Sequence, residues 1–117
     1  MLSEDILQAE IFKWYHNNYC LPIHTPRHYI FSVPNGGLRN KREAVKMKAT
    51  GLKAGVSDLI ILQPNKAIFV EVKTETGRQS DKQKAFQVIV SNLGFEYHVV
   101  RSLEEFKEKI YPYLESL

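Results

Sequence analysis

Residues 58–73, with the sequence DLIILQPNKAIFVEVK, carry the strongest indication of how this protein folds. It contains two apolar runs that are separated by the polar break Gln63-Pro64-Asn65-Lys66. Each run is apolar at odd and even positions alike, so both are expected to be central strands covered on each face. The short break predicts an antiparallel hairpin with strands at 58–62 and 67–73.

The register of this hairpin depends on the length of its loop. A loop of two residues (Pro64 and Asn65) or of four places Asp58 directly opposite Glu71. A loop of three or five residues would move one of the two acids to the other face. We expect the four-residue loop, because Pro64 cannot adopt the positive φ that a type I′ turn requires.

Helices and two further strands are predicted on either side of the hairpin. Apolar residues at helical spacing predict a first helix that is capped by Ser3 and runs to about Tyr19. A first strand at 29–33 and a turn at 34–37 follow, and then a basic helix at 40–50 that ends at Gly51.

Beyond the hairpin, two pairs have the spacing of capping boxes, Ser80 with Gln83 and Ser102 with Glu105, and each predicts the start of a helix. Residues 96–100 between these helices form the last strand, which the crossover helix makes parallel to the third. The predicted fold is an α/β sandwich around a mixed four-stranded sheet with helices on its faces.

Length and composition limit the class of protein. A chain of 117 residues suits one domain, and we expect residues 1–117 to act as a single stand-alone domain. No run approaches the roughly 18 apolar residues of a membrane helix, and the acidic N-terminus is unlike a signal peptide. Cys20 is the only cysteine, which excludes an internal disulfide and a Cys-rich zinc site and fits a reducing cytoplasm.

The basic residues are concentrated in one segment. Residues 39–53 contain six lysines and arginines and a single acid, whereas the whole chain has a net charge of +3. Local positive charge is typical of a surface that binds a polyanion. A solvated, lysine-rich helix face is the structural alternative.

Three charged side chains are predicted to meet on one face of the hairpin. Strand alternation puts Glu71 and Lys73 on the same face, and the register adds Asp58. Opposed residues have Cβ atoms about 4.5–5.5 Å apart, and like charges at that distance destabilise a sheet. Mg²⁺ would remove the conflict, since it is held by one or two carboxylates with waters and phosphate oxygens.

The alternative to a metal site is a Lys–Glu–Asp ion-pair cluster. Glu71 is flanked by apolar neighbours, so its desolvation would cost about several kcal/mol without strong compensation, which favours a metal. Glu10 interrupts the apolar stripe of the first helix and is either an edge residue or a further acid that reaches the site. Gln83 is either a helix cap or a side chain that points into the site.

The pattern of these residues resembles the PD-(D/E)XK nuclease motif, and more narrowly the VRR-NUC (virus-type replication-repair nuclease) family. The resemblance extends from Glu10 to about residue 100. It rests on Glu10, on Asn35-Gly36, on GLKAGVSDL at 51–59, on EVKT at 71–74 and on Ser80 to Gln83. One departure is Ser57, where the family usually has proline before the acid.

The resemblance implies a restriction-endonuclease-like core and a nuclease that uses Mg²⁺ or Mn²⁺ to cut DNA. Stand-alone relatives are similar to phage and bacterial endonucleases, some of which act as dimers on branched DNA such as Holliday junctions. We therefore expect DNA as the partner, a homodimer, and the cytoplasm of a bacterium or phage-infected cell.

Roles for individual residues follow from the same resemblance. The metal ligands or contacts would be Glu10, Asp58, Glu71 and the carbonyl of Val72. The catalytic residues would be Asp58, Glu71, Lys73 and Gln83. The expected contacts to nucleic acid are Asn35, Arg39, Lys41, Arg42, Lys46, Lys48 and Lys53.

Two other interpretations remain open at the level of the sequence. One is an archaeal-type resolvase or a restriction-like nuclease, which would share the same site. The other is a non-catalytic DNA-binding module on the same fold, although opposed acids would have no purpose in an inactive site.

Overall fold

The helices and strands follow one another in the predicted order. The computed structural model describes residues 2–24, 27–34 and 41–114, without the side chains at 41, 43 and 44. The helices are α1 (Glu4–Tyr19), α2 (Lys41–Ala49), α3 (Asp81–Asn92) and α4 (Leu103–Leu114), and the strands are β1 (Tyr29–Ser32), β2 (Leu59–Gln63), β3 (Lys66–Val72) and β4 (Glu96–Val100). A short 3-10 helix, Pro22–His24, precedes β1 and was not expected. Most of the turn predicted at 34–37 lies outside the described residues.

The four strands form one mixed sheet in the order β1-β2-β3-β4. Strands β1 and β3 both pair antiparallel to β2, and β4 pairs parallel to β3. This confirms the predicted fold class. It also confirms that β2 and β3 are the central strands, but the expectation that both are covered on each face was wrong for β2, because Leu62 is 42% exposed.

The hairpin has the predicted register with a different loop. Leu59 pairs with Val70 and Gln63 pairs with Lys66, so the loop consists of Pro64 and Asn65 alone. The expectation of a four-residue loop was wrong. Asn65 has a φ of +58°, and a turn with positive φ only at its second position, as in type II, accepts proline at the first. The objection to Pro64 applied to type I′ turns only.

The hydrophobic core lies on the sheet face that α1 and α4 cover. It combines α1, the odd positions of β2, the even positions of β3, and α4: Leu7, Ile11, Tyr15, Leu59, Ile61, Ile68, Val70, Val72, Phe106 and Ile110 are all buried. Strand alternation therefore turns Glu71 and its neighbours at odd positions of β3 towards the opposite face. Helix α3 covers the β3–β4 half of that face, with the ring of Phe86 5.9 Å from Phe69 and 6.1 Å from Tyr97.

The helix ends follow local sequence signals, with one exception. Ser3 caps α1, and Ser80 and Gln83 form a complete capping box at α3. The box predicted at Ser102 and Glu105 is only half formed. Ser102 accepts from the Glu105 N–H at 3.0 Å, but the Glu105 carboxylate accepts from the N–H of Arg101 instead of the N–H of Ser102.

Candidate active site

Four of the predicted site residues meet at one end of the sheet, on the face that α3 covers. Asp58 directly precedes β2, and continuing the register from Leu59 and Val70 by one residue sets it against Glu71 in β3. Lys73 directly follows β3, and Gln83 lies in the first turn of α3. The site is therefore assembled from two strand ends and one helix start.

Glu71 is fully buried, and its two carboxylate oxygens have different surroundings. Its Oε1 accepts a hydrogen bond from the Tyr97 hydroxyl at 2.6 Å and another from Gln79 Nε2 at 3.0 Å. Its Oε2 is buried without a hydrogen-bond donor and lies 3.7 Å from Lys73 Nζ. Burying an ionised carboxylate is costly unless it is paired, and only Oε1 is fully paired here.

Lys73 is also buried, with 7% of the residue exposed. Its Nζ donates to Gln83 Oε1 at 2.8 Å, and the same oxygen accepts the Ser80 backbone N–H at 2.8 Å. The two explanations of Gln83 therefore hold together, because one side chain caps α3 and contacts the site. The cap fixes Gln83, and Gln83 in turn fixes the position of the Lys73 ammonium.

Asp58 is half-buried and is held by the backbone of β3. Its Oδ2 accepts the Val72 N–H at 2.6 Å. Burial raises the pKa of the Asp58 carboxyl most. The hydrogen bond from the Val72 N–H lowers this pKa, the Glu71 and Glu4 carboxylates raise it again, and Lys73 lowers it least. The folded chain thus holds a carboxylate where negative charge is disfavoured. That is common at functional sites.

A pocket of about 450 Å³ opens beside Asp58. Its walls include the acids Glu4 and Asp58, the lysines Lys48 and Lys53, and Gln83 at the start of α3. Negative groups thus share the pocket with cationic ones. Such a mixture fits an anionic ligand that binds together with a cation, because the lysines can contact the anion and the acids can contact the cation.

The acid that α1 brings to this pocket is Glu4 rather than Glu10. The two lie six residues apart, which is about 9 Å along the helix and about 120° around it. Glu10 is not part of the pocket lining, and Glu4 is the α1 acid that raises the pKa of Asp58. Glu4 lies in the first turn of α1, where an acid also favours the helix dipole, so its position carries no separate signal of a role in the site.

The predicted nucleic-acid contacts are described only in part. Asn35 and Arg39 lie outside the described residues, as does the side chain of Lys41. Arg42 and Lys46 are exposed on α2. Lys48 and Lys53 are exposed as well, and they line the pocket. The basic segment therefore reaches the candidate site at its C-terminal end.

Gly55 allows the pocket wall to lie close to α3. Its φ is +84°, and a Cβ there would lie 2.5 Å from the backbone carbon and oxygen of Lys82 and 2.9 Å from the backbone nitrogen of Gln83. No other residue type fits this approach without a shift of the helix start. The second glycine before Asp58 therefore has a steric role next to Gln83.

Sequence reasoning missed two residues that contact Glu71, namely Tyr97 and Gln79. Tyr97 lies in β4 opposite Phe69 and is therefore on the same face as Glu71. Burial raises its pKa, and the neighbouring Glu71 carboxylate raises it further. Gln79 lies in the loop before α3, where no local pattern marks it. The compensation that Glu71 was expected to lack is thus present on one oxygen.

The residues of the site fit a divalent cation. Two carboxylates lie together, and one of them has a buried oxygen without a hydrogen-bond donor. Mg²⁺ takes one or two carboxylates together with waters and phosphate oxygens. Within the described ranges, no three Asp, Glu, His or Cys side chains form a ligand cluster.

Comparisons with known proteins identify the fold and the family of this chain. A solved structure, a VRR_NUC domain protein, matches the fold with a TM-score of 0.76 at 23% identity, over 98% of this chain and 90% of that chain. The search of curated proteins finds no match. The model of the VRR-NUC domain matches residues 2–104. That match covers most of the chain, so this protein belongs to the VRR-NUC family, whose domain implies a nuclease-type function on DNA.

Proposed function

We propose that this chain is a DNA endonuclease that requires a divalent metal and hydrolyses phosphodiester bonds, with residues 1–117 acting as a single nuclease domain. The buried Glu71 carboxylate carries this proposal, because its Oε2 lacks a hydrogen-bond donor and faces Lys73. An ion pair alone would not need Asp58, since opposed like charges destabilise a sheet. A site that binds a cation accounts for both acids, since Mg²⁺ can take two carboxylates.

The metal ligands in this proposal are Asp58 and Glu71, and the Val72 carbonyl is a further ligand from the family resemblance. Glu10 stays a metal or water contact that the family resemblance implies, and Glu4 is a further acid in the pocket beside Asp58. When bound, Mg²⁺ or Mn²⁺ supplies Lewis-acid stabilisation of the charge on a phosphate and lowers the pKa of a water molecule.

Lys73 acts electrostatically in this proposal. Its ammonium is desolvated and is fixed between Glu71 Oε2 and Gln83 Oε1. A positioned cation in a water-poor site stabilises charge that develops on the phosphate or on the leaving oxygen. Gln83 uses its carbonyl oxygen for Lys73 and Ser80, which leaves its amide hydrogens free to face a water or a phosphate oxygen.

The DNA backbone would lie along the basic segment. Lys48 and Lys53 line the pocket beside Asp58, so they would contact the phosphates next to the bond that is cut. Arg42 and Lys46 on α2 extend the charge, and we include Asn35, Arg39 and Lys41 from the sequence. Phosphate contacts of this kind fix the position of the duplex without reading its sequence.

We further propose branched DNA, such as a four-way junction, as the preferred substrate, and a homodimer as the active form. The β1–β2 half of the sheet face that carries Asp58 supports a dimer, since Tyr29 is 61% and Leu62 42% exposed there. A two-fold pair of sites also matches the cutting of two strands. Light scattering tests this: a mass of one chain at micromolar concentration contradicts the dimer.

The deciding experiment is cleavage of labelled linear and four-way-junction DNA with Mg²⁺, Mn²⁺ or EDTA. We expect cutting with either metal, no cutting with EDTA, and a loss of about 100-fold or more in Lys73→Ala. Lys66→Ala is the matched control, because Lys66 begins the same strand at its other end.

Each outcome of this experiment has a distinct meaning. Faster cutting of the junction than of the linear duplex supports the preference for branched DNA. Equal cutting of both contradicts that preference but keeps the nuclease. DNA binding without cutting under every metal condition contradicts the nuclease itself and indicates a DNA-binding module.

A further inference from the structure

Glu71 Oε1 accepts more hydrogen bonds than its burial alone requires. Tyr97 and Gln79 both donate to it, at 2.6 Å and 3.0 Å. Oε2 of the same carboxylate receives no hydrogen bond. A carboxylate that only needed to be satisfied would distribute its two donors over both oxygens, because each oxygen left unpaired costs about 1–3 kcal/mol.

The two donors are themselves held in place. Gln79 Nε2 donates to Gln87 Oε1 at 2.9 Å as well as to Glu71, so both of its hydrogens are used and the amide cannot turn its oxygen towards Glu71 without losing both bonds. Tyr97 is buried in β4 with its ring against Phe86. The plane of the Glu71 carboxylate is therefore fixed from two independent elements, β4 and the loop before α3.

This arrangement restricts how Glu71 can bind a cation. With Oε1 occupied, only Oε2 is available, on the side of the carboxylate that faces Lys73. Ca²⁺ takes six to eight oxygen ligands and often uses both oxygens of one carboxylate, whereas Mg²⁺ demands a small octahedral shell. We infer that Tyr97 and Gln79 are positioning residues that make this site select Mg²⁺ over Ca²⁺ by limiting Glu71 to a single oxygen. The inference rests on the proposed metal site, which it deepens.

A purely structural role for Tyr97 and Gln79 makes a different prediction. In that case the loss of either donor lowers the stability of the fold and weakens the binding of every cation to the same extent. Selection through a single oxygen requires instead that the loss of the donors favours Ca²⁺ relative to Mg²⁺, because Oε1 becomes free to bind. The ratio of the two dissociation constants separates the two roles, and it does not depend on DNA cleavage.

The test is calorimetric titration of the full chain with MgCl₂ or with CaCl₂, in the absence of DNA. The variants are Tyr97→Phe, Gln79→Leu and the double variant, and Tyr113→Phe is the matched control. Tyr113 also places its hydroxyl next to a polar side chain, His98 at 3.1 Å, but His98 alternates to the other face of the sheet. Gln79→Leu changes a loop residue and keeps the test available if Tyr97→Phe does not fold.

We expect the ratio of the Ca²⁺ to the Mg²⁺ dissociation constant to fall by about 10-fold in the double variant, the usual size of outer-shell effects on metal affinity. Tyr113→Phe leaves the ratio unchanged. If the double variant folds, binds Mg²⁺ and cuts DNA but keeps the wild-type ratio of dissociation constants, this inference alone is overturned. Failure of the wild-type chain to bind either cation overturns the inference together with the metal dependence in the proposed function.

Discussion

At Asp58 the folded chain holds a carboxyl group whose negative charge is disfavoured. Burial and the Glu71 and Glu4 carboxylates raise its pKa above the ordinary value of 3.8. The folded state therefore binds this proton more tightly than the unfolded state does. The contribution of Asp58 to stability is neutral below the ordinary pKa, becomes unfavourable as the pH rises through the raised value, and remains unfavourable above it.

Asp58→Asn is therefore expected to stabilise the protein while it abolishes metal-dependent activity. Asparagine keeps an oxygen for the Val72 N–H and removes the charge, so the melting temperature at pH 7 should rise by about 4 °C, or roughly 1 kcal/mol. Thermal unfolding should show that the difference from the wild type disappears near pH 3. A lower melting temperature for Asp58→Asn at pH 7 would mean that the charge stabilises the fold as an ion-pair cluster does.

At the scale of elements, the start of α3 links the cap of a helix to the site. Gln83 closes the capping box with Ser80 and holds Lys73, and Gly55 allows the pocket wall to approach the same turn. A displacement of this helix start by even a few tenths of an ångström moves Gln83. Helix stability and the position of Lys73 are therefore coupled at this point.

Gly55→Ala tests this coupling. The added methyl group meets backbone atoms of Lys82, and a positive φ adds strain of about 1–3 kcal/mol. We expect both a lower melting temperature and slower DNA cleavage. Gly94→Ala is the matched control, because Gly94 has a φ of +91° but nothing within 4 Å of the new Cβ. Equal effects of the two variants on cleavage would show that the close approach at Gly55 does not matter.

At the scale of the whole molecule, charge and fold converge on one end of the sheet. Lys48 lies in the last turn of α2 and Lys53 lies between α2 and β2, and both line the pocket together with Glu4 from α1 and Gln83 from α3. In the described part of the chain, no helix is long and apolar enough to cross a membrane. The basic segment thus has a direct geometric relation to the candidate site, which its charge alone did not establish.

The salt dependence of DNA binding tests the basic surface. In EDTA, which prevents cutting, the Lys48→Ala, Lys53→Ala double variant should bind DNA more weakly, and the slope of log affinity against log salt should decrease by about 1 for each lysine removed. Fluorescence anisotropy over a salt series measures both. A double variant of Lys13 and Lys107, which lie on α1 and α4, controls for net charge. Equal slopes for the two double variants would show that the DNA binds to a surface other than the one formed by Lys48 and Lys53.

The sequence alone was sufficient for the order of elements and for the face that carries the site. Apolar periodicity, caps such as Ser3 and Ser80, and strand alternation act between neighbours in the chain, so they predict helices, strands and the shared face of Asp58, Glu71 and Lys73. The antiparallel register followed because both even loop lengths give the same pairing. The predicted length of the loop was wrong, since more than one turn type accommodates a two-residue connection.

The side chains that lie next to Asp58 and Glu71 from distant elements depend on tertiary packing. Glu4 rather than Glu10 faces Asp58 because the rotation of α1 over the sheet is set by core residues such as Ile11, not by the spacing of the acids. Tyr97 reaches Glu71 because the parallel pairing of β4 with β3 fixes the position of Tyr97 along the strands. The register of a strand that follows a crossover connection has no local signal in the sequence. Contacts between residues far apart in the chain depend on how whole elements pack, and no local pattern in the sequence encodes that packing.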